Sequence, residues 1–129
     1  MNNWITAAAV IVVGMATVAG PAAAQSGEAS KGQRIFNTQC RSCHTLEKDG
    51  AQVTGPNLHG LVGRKAGTSA GYAYSDAMKN SGIVWDEATL AEYNRDPKDK
   101  VPGTKMLFNG VKNAGQLADL VAYLKEATK

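Results

Sequence analysis

The chain has little of what most small domains rely on. Aromatic residues make up only 6% of its 129 residues and charged residues 19%. One soluble domain of this length would bury a thin core if it used protein alone. There are two cysteines and two histidines, too few for a disulfide framework and barely enough for one four-ligand zinc site. No convincing strand pattern or internal repeat appears, so the βαβ setting of a redox dithiol is missing. The 14 basic and 11 acidic residues leave a mild net charge of +3, with nothing like a nucleic-acid-binding stripe.

Charge is wholly missing from residues 1–24. Ile5 to Ala19 is an apolar run, and Ala22-Ala23-Ala24 has the small-residue form of a cleavage site. This is a secretory signal pattern, although no Lys or Arg precedes the run. A run of about 15 residues is short for a membrane span, which needs about 20. An uncleaved anchor is the rival reading. The expectation is a signal peptide over 1–24, cleaved near Ala24, followed by one domain over 25–129 that retains all the charge.

Both cysteines fall in one stretch, Cys40-Arg41-Ser42-Cys43-His44. Cys-x-x-Cys-His is the attachment signal of a c-type haem. Two thiols at this spacing each form a thioether to the porphyrin edge, and the following histidine becomes an axial iron ligand. The alternatives, a redox dithiol or half a zinc site, lack the surrounding fold and the further ligands. A buried haem also supplies the apolar volume that the composition lacks.

Periodicity predicts helices joined by long loops, an all-α fold. Ala29, Gly32, Ile35 and Phe36 share one face of a first helix that Ser26 can cap and that delivers Cys40 at its end. From Lys48 to Gly71, recurrent glycines indicate loop, with Leu58, Leu61 and Val62 as inward anchors; a loop this long needs something to wrap. Tyr74 to Asn80 reads as a short helix. Asp86 caps a helix from Glu87 to Arg95, which Pro97 ends. Asn113, with Gln116 at the capping-box position, opens the last helix. Its Leu117, Leu120, Val121 and Leu124 form the strongest amphipathic stripe in the chain. Gly32 points to close approach of the first and last helices.

The haem iron has a sixth position. From spacing alone Met106, Met78, His59 and no ligand all stay open. Met106 sits in an irregular Pro102-Gly103-Thr104-Lys105 setting that favours it, Met78 in a helix where methionine usually fills core, and His59 reads as a structural histidine.

Lys31-Gly32-x-x-Ile35-Phe36, Cys40-x-x-Cys43-His44-Thr45, Thr54-Gly55-Pro56-Asn57-Leu58-His59-Gly60-Leu61, Gly63-Arg64-Lys65, Gly82-Ile83-x-Trp85, Pro102-Gly103-Thr104-Lys105-Met106 and Leu120-x-Ala122-Tyr123-Leu124 run in order through the chain. In these stretches it resembles the class I c-type cytochromes, in the mitochondrial and bacterial cytochrome c2 group. The resemblance implies the small cytochrome c fold, with N- and C-terminal helices crossing and loops wrapped around one covalent haem c. It implies Cys40 and Cys43 as the attachment points and His44 and Met106 as the axial ligands. It implies Tyr74, Trp85 and Arg64 around a haem propionate, and Pro56, Tyr93 and Thr104 tuning the ligands. His59 would tie two loops together.

The implied function is one-electron transport in the periplasm by a monomeric carrier that is not an enzyme. The implied donor is a cytochrome bc complex and the acceptor a photosynthetic reaction centre or a terminal oxidase, placing the chain in respiration or photosynthesis. Met78 stands where the family often has asparagine, and Asn94 where it is usually apolar. Gln39, Ala51, Val53 and Asn113 replace lysines of the docking patch. A rim of Arg41, Lys98, Lys105 and Lys112 is expected to steer acidic partners, more weakly than in mitochondrial relatives.

Overall fold

Local capping sets most of the helix boundaries in the computed structural model, which describes residues 26–129. The expected signal peptide and its cleavage point lie outside the described residues. Five helices follow in order: α1 (Ala29–Gln39), α2 (Asp76–Lys79), α3 (Glu87–Arg95), α4 (Pro97–Lys100) and α5 (Ala114–Ala127). Among the described residues there is no strand beyond an isolated bridge between Lys65 and Val84. Nor is any helix there long and apolar enough to cross a membrane.

Asp86 accepts from the Thr89 N–H at 2.8 Å, and the Thr89 hydroxyl oxygen accepts from the Asp86 N–H, a full capping box. Asn113 accepts from the Gln116 N–H at 3.0 Å, so α5 has the expected cap, made by Asn113 alone. α1 differs from expectation. Its N-cap is Glu28, not Ser26, and no side chain caps it. Instead the Glu28 N–H donates to the Asp119 carboxylate of α5 at 2.7 Å. Pro97 does end α3, but it also begins α4: Asp96 closes one helix and caps the next, accepting from the Asp99 N–H. Proline is favoured in a first turn, where its missing N–H costs nothing.

α1 and α5 pack together. The contact depends on Gly32, where an added Cβ would lie 1.9 Å from the Asp119 carbonyl oxygen and 2.7 Å from the Tyr123 Cβ. Beside it the Phe36 and Tyr123 rings meet at 5.6 Å. Phe36, Cys40, Val111, Leu117, Leu120 and Leu124 form one buried cluster. Leu61, Met78, Trp85, Leu90, Tyr93 and Val121 belong to a second, and Leu58 and Ala91 touch both. Val62 corrects the expected set of inward anchors: it is 47% exposed. The Arg64 N–H returns to the Leu61 carbonyl and the Gly63 N–H goes to Trp85, a turn that leaves Val62 at its outer corner.

Side-chain amides hold the long loop in place of strands. Asn57 donates to the Thr45 hydroxyl and the Glu47 carbonyl at 2.8 and 3.0 Å and accepts from the His59 N–H. Gln52 accepts from the Asn57 N–H and donates to the Ala70 carbonyl. At the far end, the Gly60 N–H donates to the carbonyl of the buried Thr128.

Candidate functional site

α1 ends where the thiols begin. Cys40 is its C-cap, and the Cys43 and His44 N–H groups both donate to the Cys40 carbonyl at 3.0 Å. The resulting turn puts Cys40, Cys43 and His44 on one wall of a cleft that encloses about 1220 Å³ outside protein atoms, part of it open to solvent. Neither thiol is in a disulfide. Burial, with a smaller contribution from Cys43, pushes the Cys40 thiol up to about 11. A thiol raised in this way is held in its neutral form. Among the described residues no group of three or more His, Cys, Asp and Glu side chains is placed to hold a metal ion.

The His44 Nδ1 lies 2.8 Å from the Pro56 carbonyl oxygen. A carbonyl only accepts, so Nδ1 carries the proton. Burial lowers the His44 pKa, opposed by the bond to Pro56. A neutral ring protonated at Nδ1 leaves the Nε2 lone pair for a metal, with its orientation fixed by the second bond. The loop reaches His44 because residue 55 is glycine: a Cβ there would lie 2.5 Å from the His44 Cε1.

Met106 lines the same cleft from the loop between α4 and α5. That loop is anchored through Thr104, whose hydroxyl shares a 2.7 Å hydrogen bond with the Tyr93 hydroxyl and accepts from the Met106 N–H at 3.3 Å. Burial raises the Tyr93 pKa, against the opposing effect of that bond. Trp85 packs on Tyr93 with ring centroids 5.2 Å apart. Tyr74, Trp85, Arg64, Met78 and Asn94 also line the cleft. The Tyr74 hydroxyl accepts from the Ser69 N–H, and Arg64 donates to the His59 and Asn57 carbonyls.

Every residue expected at the site therefore lies on this cleft. Met78 lines it too, buried, so the cleft holds two thioethers. His59 is not among the lining residues, and among the described residues its hydrogen bonds, from its backbone N–H and to its carbonyl, stay within its own loop, to Asn57 and Arg64, rather than tying two loops together. The rim differs from expectation. Arg41 faces Glu47 at 4.0 Å, Lys112 pairs with Asp96 at 2.9 Å, and Lys105 donates to the Ala73 carbonyl. Lys98 is exposed and forms no ion pair among the described residues. Sequence reasoning missed Tyr72 and Ser75, which also line the cleft. Ser75 had a usable signal, since it stands one residue before Asp76 and caps α2.

The donor set fits a haem. Two free thiols, an imidazole with Nε2 available and a thioether share one largely apolar cleft. The cytochrome c family model matches residues 29–128. Similar proteins include the cytochrome c of Gibberella zeae, 53% identical over 103 residues, covering 80% of this chain and 97% of that protein. Cytochrome c of Ginkgo biloba is 50% identical over 105 residues, 81% of this chain and 93% of that one. Cytochrome c of Chlamydomonas reinhardtii is 50% identical over 107 residues, 83% and 96%. The chain belongs to the cytochrome c family. It is a monohaem electron carrier with one covalent haem c, not an enzyme. The relatives are eukaryotic, so the match carries the family and not the bacterial cytochrome c2 subtype.

Proposed function

We propose that this chain is a periplasmic, cytochrome c2-like shuttle between membrane redox complexes. It takes electrons from a cytochrome bc complex and delivers them to a photosynthetic reaction centre or a terminal oxidase. The observation that carries the reading is the meeting of Cys40, Cys43, His44 and Met106 on one cleft. The apolar run over 5–19, with its Ala22-Ala23-Ala24 end, supports export and cleavage near Ala24.

When bound, haem c supplies a one-electron Fe(III)/Fe(II) couple. The residues then divide the work. Cys40 and Cys43 hold the porphyrin covalently. His44, through its free Nε2, and Met106, through its thioether, would hold the iron between them. Pro56 keeps the His44 ring oriented, and Tyr93 with Thr104 fixes the loop that presents Met106. Tyr74, Trp85 and Arg64 would hold a propionate, Arg64 supplying a positive charge against it. The carrier works as a monomer, makes transient contacts with its partners and binds no nucleic acid.

An optical spectrum of the purified native protein, oxidised and then reduced, tests the site. A sharp reduced α-band together with the weak red charge-transfer band of Met–Fe(III) ligation is expected. Haem bands without the charge-transfer feature would remove Met106 from the iron. Mass spectrometry of the exported protein tests the compartment: an N-terminus at Gln25 is expected, and an intact residue 1–24 segment would replace the free shuttle with a tethered one.

A further inference from the structure

Asn94 is a buried polar residue of the cleft that the electron-carrier reading does not use. It is only 6% exposed, follows Tyr93 on α3 and lines the cleft. Its Nδ2 donates to the Leu90 carbonyl at 2.9 Å, one helical turn back. Its Oδ1 accepts from no group among the described residues, yet no fully enclosed side-chain oxygen there lacks a partner. The oxygen is therefore not fully enclosed, and the cleft is the open space that Asn94 lines.

The Leu90 bond fixes the direction of this amide. The nitrogen is tied to the helix backbone, so the oxygen end of the dipole is turned the other way. The main chain at the same residue is held as well: the Asn94 carbonyl accepts from the Val111 N–H at 2.8 Å, joining α3 to the chain that follows Met106. A dipole held this rigidly in a low-dielectric site acts more strongly on a nearby charge than it would in water.

We propose that Asn94 tunes the potential of the carrier, its Oδ1 favouring the oxidised centre, which carries one more positive charge, and so lowering the potential relative to an apolar side chain. The inference rests on the haem reading of the cleft. Asn94 acts here as a positioning and tuning residue, and the test separates that from space-filling.

The test is a spectroelectrochemical titration of the holoprotein, with the charge-transfer band recorded in each variant. Asn94→Leu removes the dipole and is expected to raise the potential, shifting the reduction equilibrium by roughly threefold or more, where tenfold is about 59 mV for one electron. Asn94→Asp keeps the shape and is expected to lower the potential progressively as the carboxyl ionises with rising pH. If leucine prevents folding, Asn94→Ala removes the same dipole and must also raise it. Shifts in the same direction for Leu and Asp, or no shift with the band intact, overturn the proposal and leave Asn94 as a filler secured by Leu90. A parent protein without haem or without the charge-transfer band overturns the reading of the cleft itself, and the proposal with it.

Discussion

Gly55 lies against the His44 ring so closely that a Cβ on it would meet Cε1 at 2.5 Å and Nδ1 at 2.8 Å. The same position would crowd the Cys43 carbonyl oxygen at 2.9 Å, to which the Gly55 N–H donates at 2.7 Å. Ring and backbone are both fixed, so the loop must give way. Gly55→Ala is expected to break this bond and the one from His44 to Pro56, destabilising the protein by about 2–4 kcal/mol. Urea denaturation of the variant measures it, and an unchanged midpoint would show that the loop tolerates a methyl group.

The two thioethers of the cleft differ in their support. Met106 belongs to a loop pinned by Thr104, whereas Met78 is in the four-residue α2 and packs in the second cluster. Met106→Ala is expected to abolish the charge-transfer band and lower the potential, since the soft thioether favours Fe(II). Met78→Ala is expected to keep the band and lose stability, by about 2–4 kcal/mol for a buried methionine. A band that disappears in Met78→Ala and survives in Met106→Ala would exchange their roles.

At the far side of the molecule, Gly32→Ala places a methyl group against the Asp119 backbone. Alanine gains about 1 kcal/mol in helix propensity, while overpacking against a rigid carbonyl costs about 1–3 kcal/mol. Net destabilisation is expected, because backbone cannot rotate away as a side chain can. Thermal unfolding reads the sign, and a rise in Tm would mean that the helices separate at little cost.

The Asp86 cap gives α3 an acid-sensitive start. Accepting from Thr89 holds its carboxyl below the ordinary aspartate value. A lowered folded pKa contributes stability above the unfolded value and loses it as pH falls through the folded one. Asp86→Asn keeps an acceptor but does not titrate. The stability advantage of the parent over this variant is therefore expected in full at about pH 6 and should shrink as pH falls below the usual aspartate pKa of about 3.9. A difference that stays constant across that range would refute the linkage.

What the sequence made legible was local chemistry. The Cys40 to His44 turn, the stripe of α5, and the caps Asp86 and Asn113 each depend on residues within a few positions of one another. The family stretches carried the rest of the site, from Pro56 to Met106. What stayed hidden depends on partners far along the chain. Glu28, the N-cap of α1, is held by Asp119, 91 residues away, which accepts its N–H. Lys112 and Arg41 read as rim charges, but Asp96 and Glu47 face them in space. The Asn57 hub has no signature, because its bonds reach Thr45, Glu47 and His59 through a fold that only the whole chain defines. α4 was lost because Asp96 serves two helices at once.

The contact between α1 and α5 has a further consequence, for the mobility of everything between them. It closes nearly the whole domain into one loop without a covalent link. Each doubling of such a loop adds only about 0.6 kcal/mol of closure entropy, so the length of chain around the cleft is inexpensive once its ends are joined. The cost is concentrated at the join. A change at Gly32, which does not itself line the cleft, frees both ends of the enclosed segment together, and the cleft amides then become open to solvent exchange through that one event rather than through many local ones.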